Sequence, residues 1–156
     1  MNDNQQTPIS RGDFIGLVVA FVGGILCVIG AIWTYVSQVQ FGASPMWPLP
    51  GLVLLDWVIL GIIGFAAAYI TFRKNVVIWQ QATWAISGAF IPLIILGGLS
   101  IGPFALIQFG LFMVSSLVLS VQRRPKWLEN FGLLMLGAII NLVVLSAIIT
   151  LGGSSI

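Results

Sequence analysis

The sequence predicts an all-α fold: a polytopic integral membrane bundle of five transmembrane helices, with the N-terminus inside and the C-terminus outside. Three observations carry this. Of 156 residues, 59% are hydrophobic and 6% charged, whereas a soluble domain carries about a quarter charged residues to cover its wet surface. The apolar residues fall into long runs separated by short polar or Gly/Pro-rich breaks. The six lysines and arginines sit beside those runs and never inside one.

A span needs about 20 apolar residues to cross roughly 30 Å of hydrocarbon. Residues 1–12 are mostly polar and read as a cytoplasmic tail. The first span is expected at 13–37. Its apolar stretch, Phe14 to Val36, is about 23 residues, too long for the roughly 7–15 of a signal-peptide core. The sequence that follows, Ser37-Gln38-Val39-Gln40, offers no small-x-small cleavage site. Asn2 stands where myristoylation requires glycine. Pro45, Pro48 and Pro50 break the chain before a second span at 52–72, which Arg73-Lys74-Asn75 ends.

From Val76 to Val121 there is no charge. As one helix these about 46 residues would run roughly 69 Å, over twice the hydrocarbon core. The run must fold back, and Gly97 to Pro103 carries the turn chemistry. A third span is thus expected at 76–96 and a fourth at 103–121. The basic turn Gln122 to Lys126 leads to a fifth at 127–151, and residues 152–156 form a short outer tail. Residues 13–151 read as a single transmembrane domain. The halves containing spans two-three and four-five show no convincing repeat.

Numbering the faces alternately puts Arg11, Arg73, Lys74, Arg123, Arg124 and Lys126 on one side and none on the other. The positive-inside rule makes that side cytoplasmic. Aromatic belts agree: Trp33, Tyr35, Trp47 and Trp57 are expected at the outer interface, and Tyr69, Trp79 and Trp127 at the inner one. The short loops fit a bacterial inner membrane.

Helices in lipid associate through close approach of small residues. Gly16, Gly23 and Gly30 repeat every seven residues and share one slowly drifting face, with Gly24 adjacent. Gly64 and Ala68 form a small-xxx-small pair, with Gly61 before them; Ala85, Gly88 and Ala89 mark the third span, Gly132 and Gly137 the fifth. These faces serve packing within the bundle or against another protein. Pro92 is expected to kink the third span.

Little chemistry is available. There is no histidine, which removes imidazole-ligated haem and zinc sites and Ser-His or Cys-His nucleophiles. Cys27 alone forms no intrachain disulfide. The acids Asp3, Asp13, Asp56 and Glu129 are not spaced as a metal pair. No cofactor and no catalysis are expected. Six basic residues in three separate places exclude a phosphate-tracking face for nucleic acid.

Asp56 is the one ionisable group inside an apolar run. It reads either as an anchor at the outer headgroups beside Trp57, favoured by the helix dipole, or as an intramembrane ion site. Asn141 lies near the middle of the fifth span, one turn after Gly137. Gln108 and Ser115 share a face of the fourth span, and Gln80, Gln81 and Thr83 mark the inner part of the third. Such groups either hydrogen-bond between helices or line a polar path.

Two function classes follow. The first is a non-catalytic subunit or scaffold that packs with other membrane proteins or with itself in the bilayer. The second is a small oligomeric transporter or channel using Asp56 and Asn141, with Gln108 and the Pro92 kink in support.

Overall fold

The computed structural model describes residues 11–40, 49–74, 77–98, 101–121 and 127–153. Among them it contains five α-helices and no strand: α1 (Arg11–Gln40), α2 (Leu49–Lys74), α3 (Val77–Gly97), α4 (Gly102–Val121) and α5 (Trp127–Gly153). The expected features at Trp47 and the basic turn 122–126, and the side chains of Trp79 and Gln80, lie outside the described residues.

The ends follow local chemistry. Pro50 and Pro103 occupy the first turns of α2 and α4, where an amide N–H has no helical acceptor and proline costs nothing. Asp13 and Glu129 lie in the first turns of α1 and α5, next to the positive dipole end. Gly98 takes a φ of 47°, the left-handed conformation that glycine enters without a Cβ penalty, and α3 stops there.

Four helices, α1, α2, α4 and α5, are long and apolar enough to cross a membrane. Helix α3 is apolar from Ala82 to Gly97 apart from Thr83, Ser87 and Pro92. At its inner end Gln81 is half-buried and Thr83 fully buried, shielded by neighbours rather than facing lipid. The whole of α3 is 21 residues, roughly 32 Å, a length that still matches the hydrocarbon core.

The packing order is a ring with an outrigger. Helix α1 packs on α2 and α4, and α3 packs on the same two, so α1–α2–α3–α4 close on themselves. Helix α5 stands outside this ring, against α3 and along one edge of α2. Residue pairings show that the helices alternate in direction. Gly16, Gly23 and Gly30 of α1 meet Leu119, Phe112 and Gln108 of α4, numbers falling as α1's rise. Ser87 meets Ser116 and Trp84 meets Ser120 in the same antiparallel sense across α3 and α4. Between α3 and α5, Ala85 pairs with Gly137 and Ala89 with Asn141, which makes them parallel.

Phe112 is the centre of the ring. Its fully buried side chain lies against Gly23 of α1 and Gly64 of α2 and stacks on Phe90 of α3 at 5.5 Å between centroids. The glycines on either side are what make room for it: a Cβ at Gly64 would stand 2.5 Å from the Phe112 ring edge. Dispersion across such contacts, rather than a hydrophobic force, holds helices together in lipid.

Gly16, Gly23, Gly30, Gly64 and Ala68 are all buried inside the bundle. Helices α2 and α4 occupy the α1 glycine face. Gly132 is a correction, since nothing lies within 4 Å of where its Cβ would be. Gly137 and Gly88 carry the α3–α5 contact instead. A Cβ on Gly137 would collide with the Ala85 carbonyl, and one on Gly88 with the Leu134 carbonyl.

A candidate polar site between α2 and α5

Side-chain hydroxyls in these helices are mostly satisfied at home. Thr34, Thr71, Ser87, Ser116 and Ser146 each donate to the carbonyl four residues earlier, at 2.7–2.9 Å, the usual way a serine or threonine is tolerated in an apolar helix. Four buried serines join helices. Ser115 donates to the Gly16 carbonyl at 2.7 Å, Trp84 Nε1–H donates to Ser120 Oγ at 2.8 Å, and the Ser87 and Ser116 hydroxyls lie 3.3 Å apart. Sequence reasoning missed the roles of Trp84, Ser87, Ser116 and Ser120. Their spacing of three to four residues, along one face each of α3 and α4, is the signal that marks them.

A second polar layer lies toward the other end of the bundle. Trp57, expected in the outer aromatic belt, is instead fully buried in the ring, a correction with a simple cause. Gly30 leaves a notch opposite it: a Cβ there would stand 3.0 Å from the indole. Gln108, 2% exposed, faces the same spot from α4 and accepts a hydrogen bond from Trp57 Nε1–H. Burying an indole N–H in lipid requires such a partner. The Cys27 thiol also lies beside the Trp57 N–H. The belt survives at Trp33, Tyr35, Tyr69 and Trp127, all exposed.

Asp56, next to Trp57, points to the other side of α2. Helix α2 starts at Leu49 rather than at 52, so Asp56 is about two turns in, roughly 10 Å from the helix end. Across the gap stands Asn141 of α5, 3% exposed, whose side chain hydrogen-bonds Asp56. Its Nδ2 also donates to the Ala89 carbonyl of α3 at 2.6 Å. Asn141 is roughly 21 Å from the start of α5 and 18 Å from its end. Two residues far apart in the sequence, Asp56 of α2 and Asn141 of α5, thus meet beside α3.

The electrostatics are one-sided. Asp56 is half-buried, and its Oδ2 is buried with no hydrogen-bond partner among the described residues. Among those residues the lysines and arginines are Arg11, Arg73 and Lys74, each at a helix end; Arg73 lies over the Tyr69 ring at 5.9 Å. None of these basic residues lies at the level of Asp56 along the helices. An ionised carboxylate at membrane depth costs about 2.5–3.5 kcal/mol on insertion scales, whereas one unsatisfied neutral polar atom costs about 1–3 kcal/mol. One carboxamide donor is a small offset to the former.

Pro92 sits one turn beyond Ala89 in α3 and has no N–H to offer the Gly88 carbonyl. The helix is therefore interrupted beside the carbonyl that Asn141 holds. Gln108 is not part of this constellation; it belongs to the Trp57 contact inside the ring. Among the described residues no group of three potential ligands could hold a metal. An outward groove of ≈ 280 Å³ between α1 and α2 is lined by Phe21, Gly24, Val28, Gly61, Ile62 and Phe65 among others, with no polar side chain in its lining.

Comparison with known proteins returns no match: no family model, no curated relative and no solved structure resembles the chain.

Proposed function

We propose that the chain is a small integral membrane transporter or channel that works as an oligomer, with the Asp56–Asn141 pair as its ion-exchange site. One observation carries this reading: the acid of the apolar runs meets the central amide of α5 with a carboxylate oxygen left open. Intramembrane acids are expensive and mark ion or proton pathways by default. An anchor at the headgroups would not need Asn141.

The oligomer follows from the arrangement of α5. The ring α1–α4 is filled by Phe112, Trp57 and Phe90, which leaves no room for a path through it. The partly exposed side of Asp56 opens outward between α2 and α5. A neighbouring copy on that side encloses a route that one copy does not. The orientation that places the basic turns in the cytoplasm belongs to the same proposal, with a bacterial inner membrane as its setting.

The test is ion flux into vesicles reconstituted with the full chain, for wild type, Asp56→Asn and Asn141→Leu. Flux falling at least tenfold in both variants, with helical content and vesicle incorporation unchanged, supports the assignment. Undiminished flux in both variants contradicts it.

A second reading, a non-catalytic subunit packing with other membrane proteins, rests on α5. This helix is the least buried of the four long spans and is held mainly by α3. Stoichiometric foreign subunits in a gentle-detergent purification would favour that reading; a clean homo-oligomer favours transport.

A further inference from the structure

We infer that the ion handled at Asp56 is the proton, bound reversibly on the open carboxyl oxygen Oδ2. This deepens the transport reading and rests on it for the ion's passage, though not for its binding.

The argument is one of charge balance and ligand count. A carboxyl held in lipid without a basic neighbour becomes neutral in one of two ways: it takes a proton, or it takes a metal cation. The groups facing Asp56 decide between them. From α5 comes Asn141, which presents its carboxamide N–H to the carboxylate. From α3 comes the Ala89 carbonyl, already accepting from Asn141 Nδ2 at 2.6 Å. Helices α3 and α4 contain no ionisable side chain. The one acid of α5, Glu129, lies twelve residues before Asn141, roughly 18 Å away along the helix. On α1, Cys27 lies against Trp57, on the other side of α2. On α2 itself, Tyr69, Arg73 and Lys74 are near the opposite end.

A metal cation leaving water requires a shell of several oxygens to replace its hydration. Here the neighbour at the carboxyl is a donor, N–H, which repels a cation, and the Ala89 carbonyl already accepts from the same amide. A proton needs a single oxygen, and Oδ2 is buried and unpartnered. Binding is the exchange Asp–COO⁻ + H⁺ ⇌ Asp–COOH, with water at either membrane face as donor and acceptor of the proton. Asn141 positions the carboxyl by holding one oxygen and leaving the other to the proton.

The experiment is infrared spectroscopy of the full chain in lipid vesicles, with aspartate ¹³C-labelled so that its carbonyl band is separated from that of Glu129. The expected result at neutral pH is a protonated-carboxyl band that shifts with the label, disappears in Asp56→Asn and moves in frequency in Asn141→Leu. It fades as pH rises and is indifferent to added sodium at fixed pH. Asp3 and Asp13 carry the label too, so a chain with Asp3→Asn and Asp13→Asn gives the Asp56 band alone, even where Asp56→Asn unfolds the protein. Absence of a labelled protonated band, or its removal by sodium, overturns the inference. The two readings fail separately. A sodium-indifferent band without proton flux leaves the proton site standing and removes transport. Sodium flux without the band does the reverse.

Discussion

At the scale of single residues, the fold depends on where a side chain is missing as much as on where one is present. Gly88 and Gly137 are the strictest positions, because the atoms a Cβ would meet are backbone carbonyls and cannot swing aside. Gly137→Ala is expected to force α3 and α5 apart at a cost of about 1–3 kcal/mol, the range for overpacking. Gly132→Ala, with nothing within 4 Å, is expected to leave stability unchanged or slightly raised, since alanine is the better helix former. Unfolding in mixed micelles separates the two. Trp57→Phe removes the donor to Gln108 and is expected to lose about 0.6–1.7 kcal/mol, the range for interhelical hydrogen bonds in membranes. A double-mutant cycle with Gln108→Leu reads that coupling directly.

At the scale of elements, α1 is defined by one face. Its buried residues, Gly16, Ala20, Gly23, Gly24, Cys27, Gly30 and Ala31, are all small, and the larger Phe21, Val22, Ile25 and Ile29 face outward. Gly23→Leu is expected to drive into the Phe112 ring and abolish the folded bundle, whereas Val22→Leu, one residue away, is expected to be neutral. Near-ultraviolet circular dichroism of the two variants checks this, as the buried Trp57 gives a fixed signal only in the closed ring. The five helices were legible from the apolar runs, and the small face of α1 from its spacing. What that face touches was not, because spacing sets a direction around one helix and says nothing of which neighbour stands there. Trp57 shows the limit most clearly. A tryptophan near a helix end reads as an interface residue, and only Gly30 on α1 and Gln108 on α4 make an interior place for it.

At the scale of the whole molecule, alternation of the five helices places the start of α1 and the end of α5 at opposite ends of the bundle. In the proposed orientation the basic residues mark the cytoplasmic end. In a Cys27→Ala background, Lys126→Cys is expected to react with a membrane-impermeant maleimide only after the membrane is opened, and Ser155→Cys in intact cells. The reverse pattern would invert the topology. Asp56 and Asn141 were each legible as unusual residues, one for its charge and one for its depth. Their meeting was not. It depends on α5 standing outside the ring beside both α2 and α3, an order that hydropathy does not encode because every helix is apolar on most sides.

The account turns on that meeting, and thiol cross-linking tests it most directly. The pair Asp56→Cys and Asn141→Cys, introduced together in a Cys27→Ala background and oxidised in native membranes or bridged by mercuric ion, is expected to link within one chain. The control pair Asp56→Cys with Leu142→Cys, whose partner faces outward, is expected not to link within the chain. Linking of the control and not of the 56–141 pair would mean that α5 presents another face to α2, and the site described here would not exist.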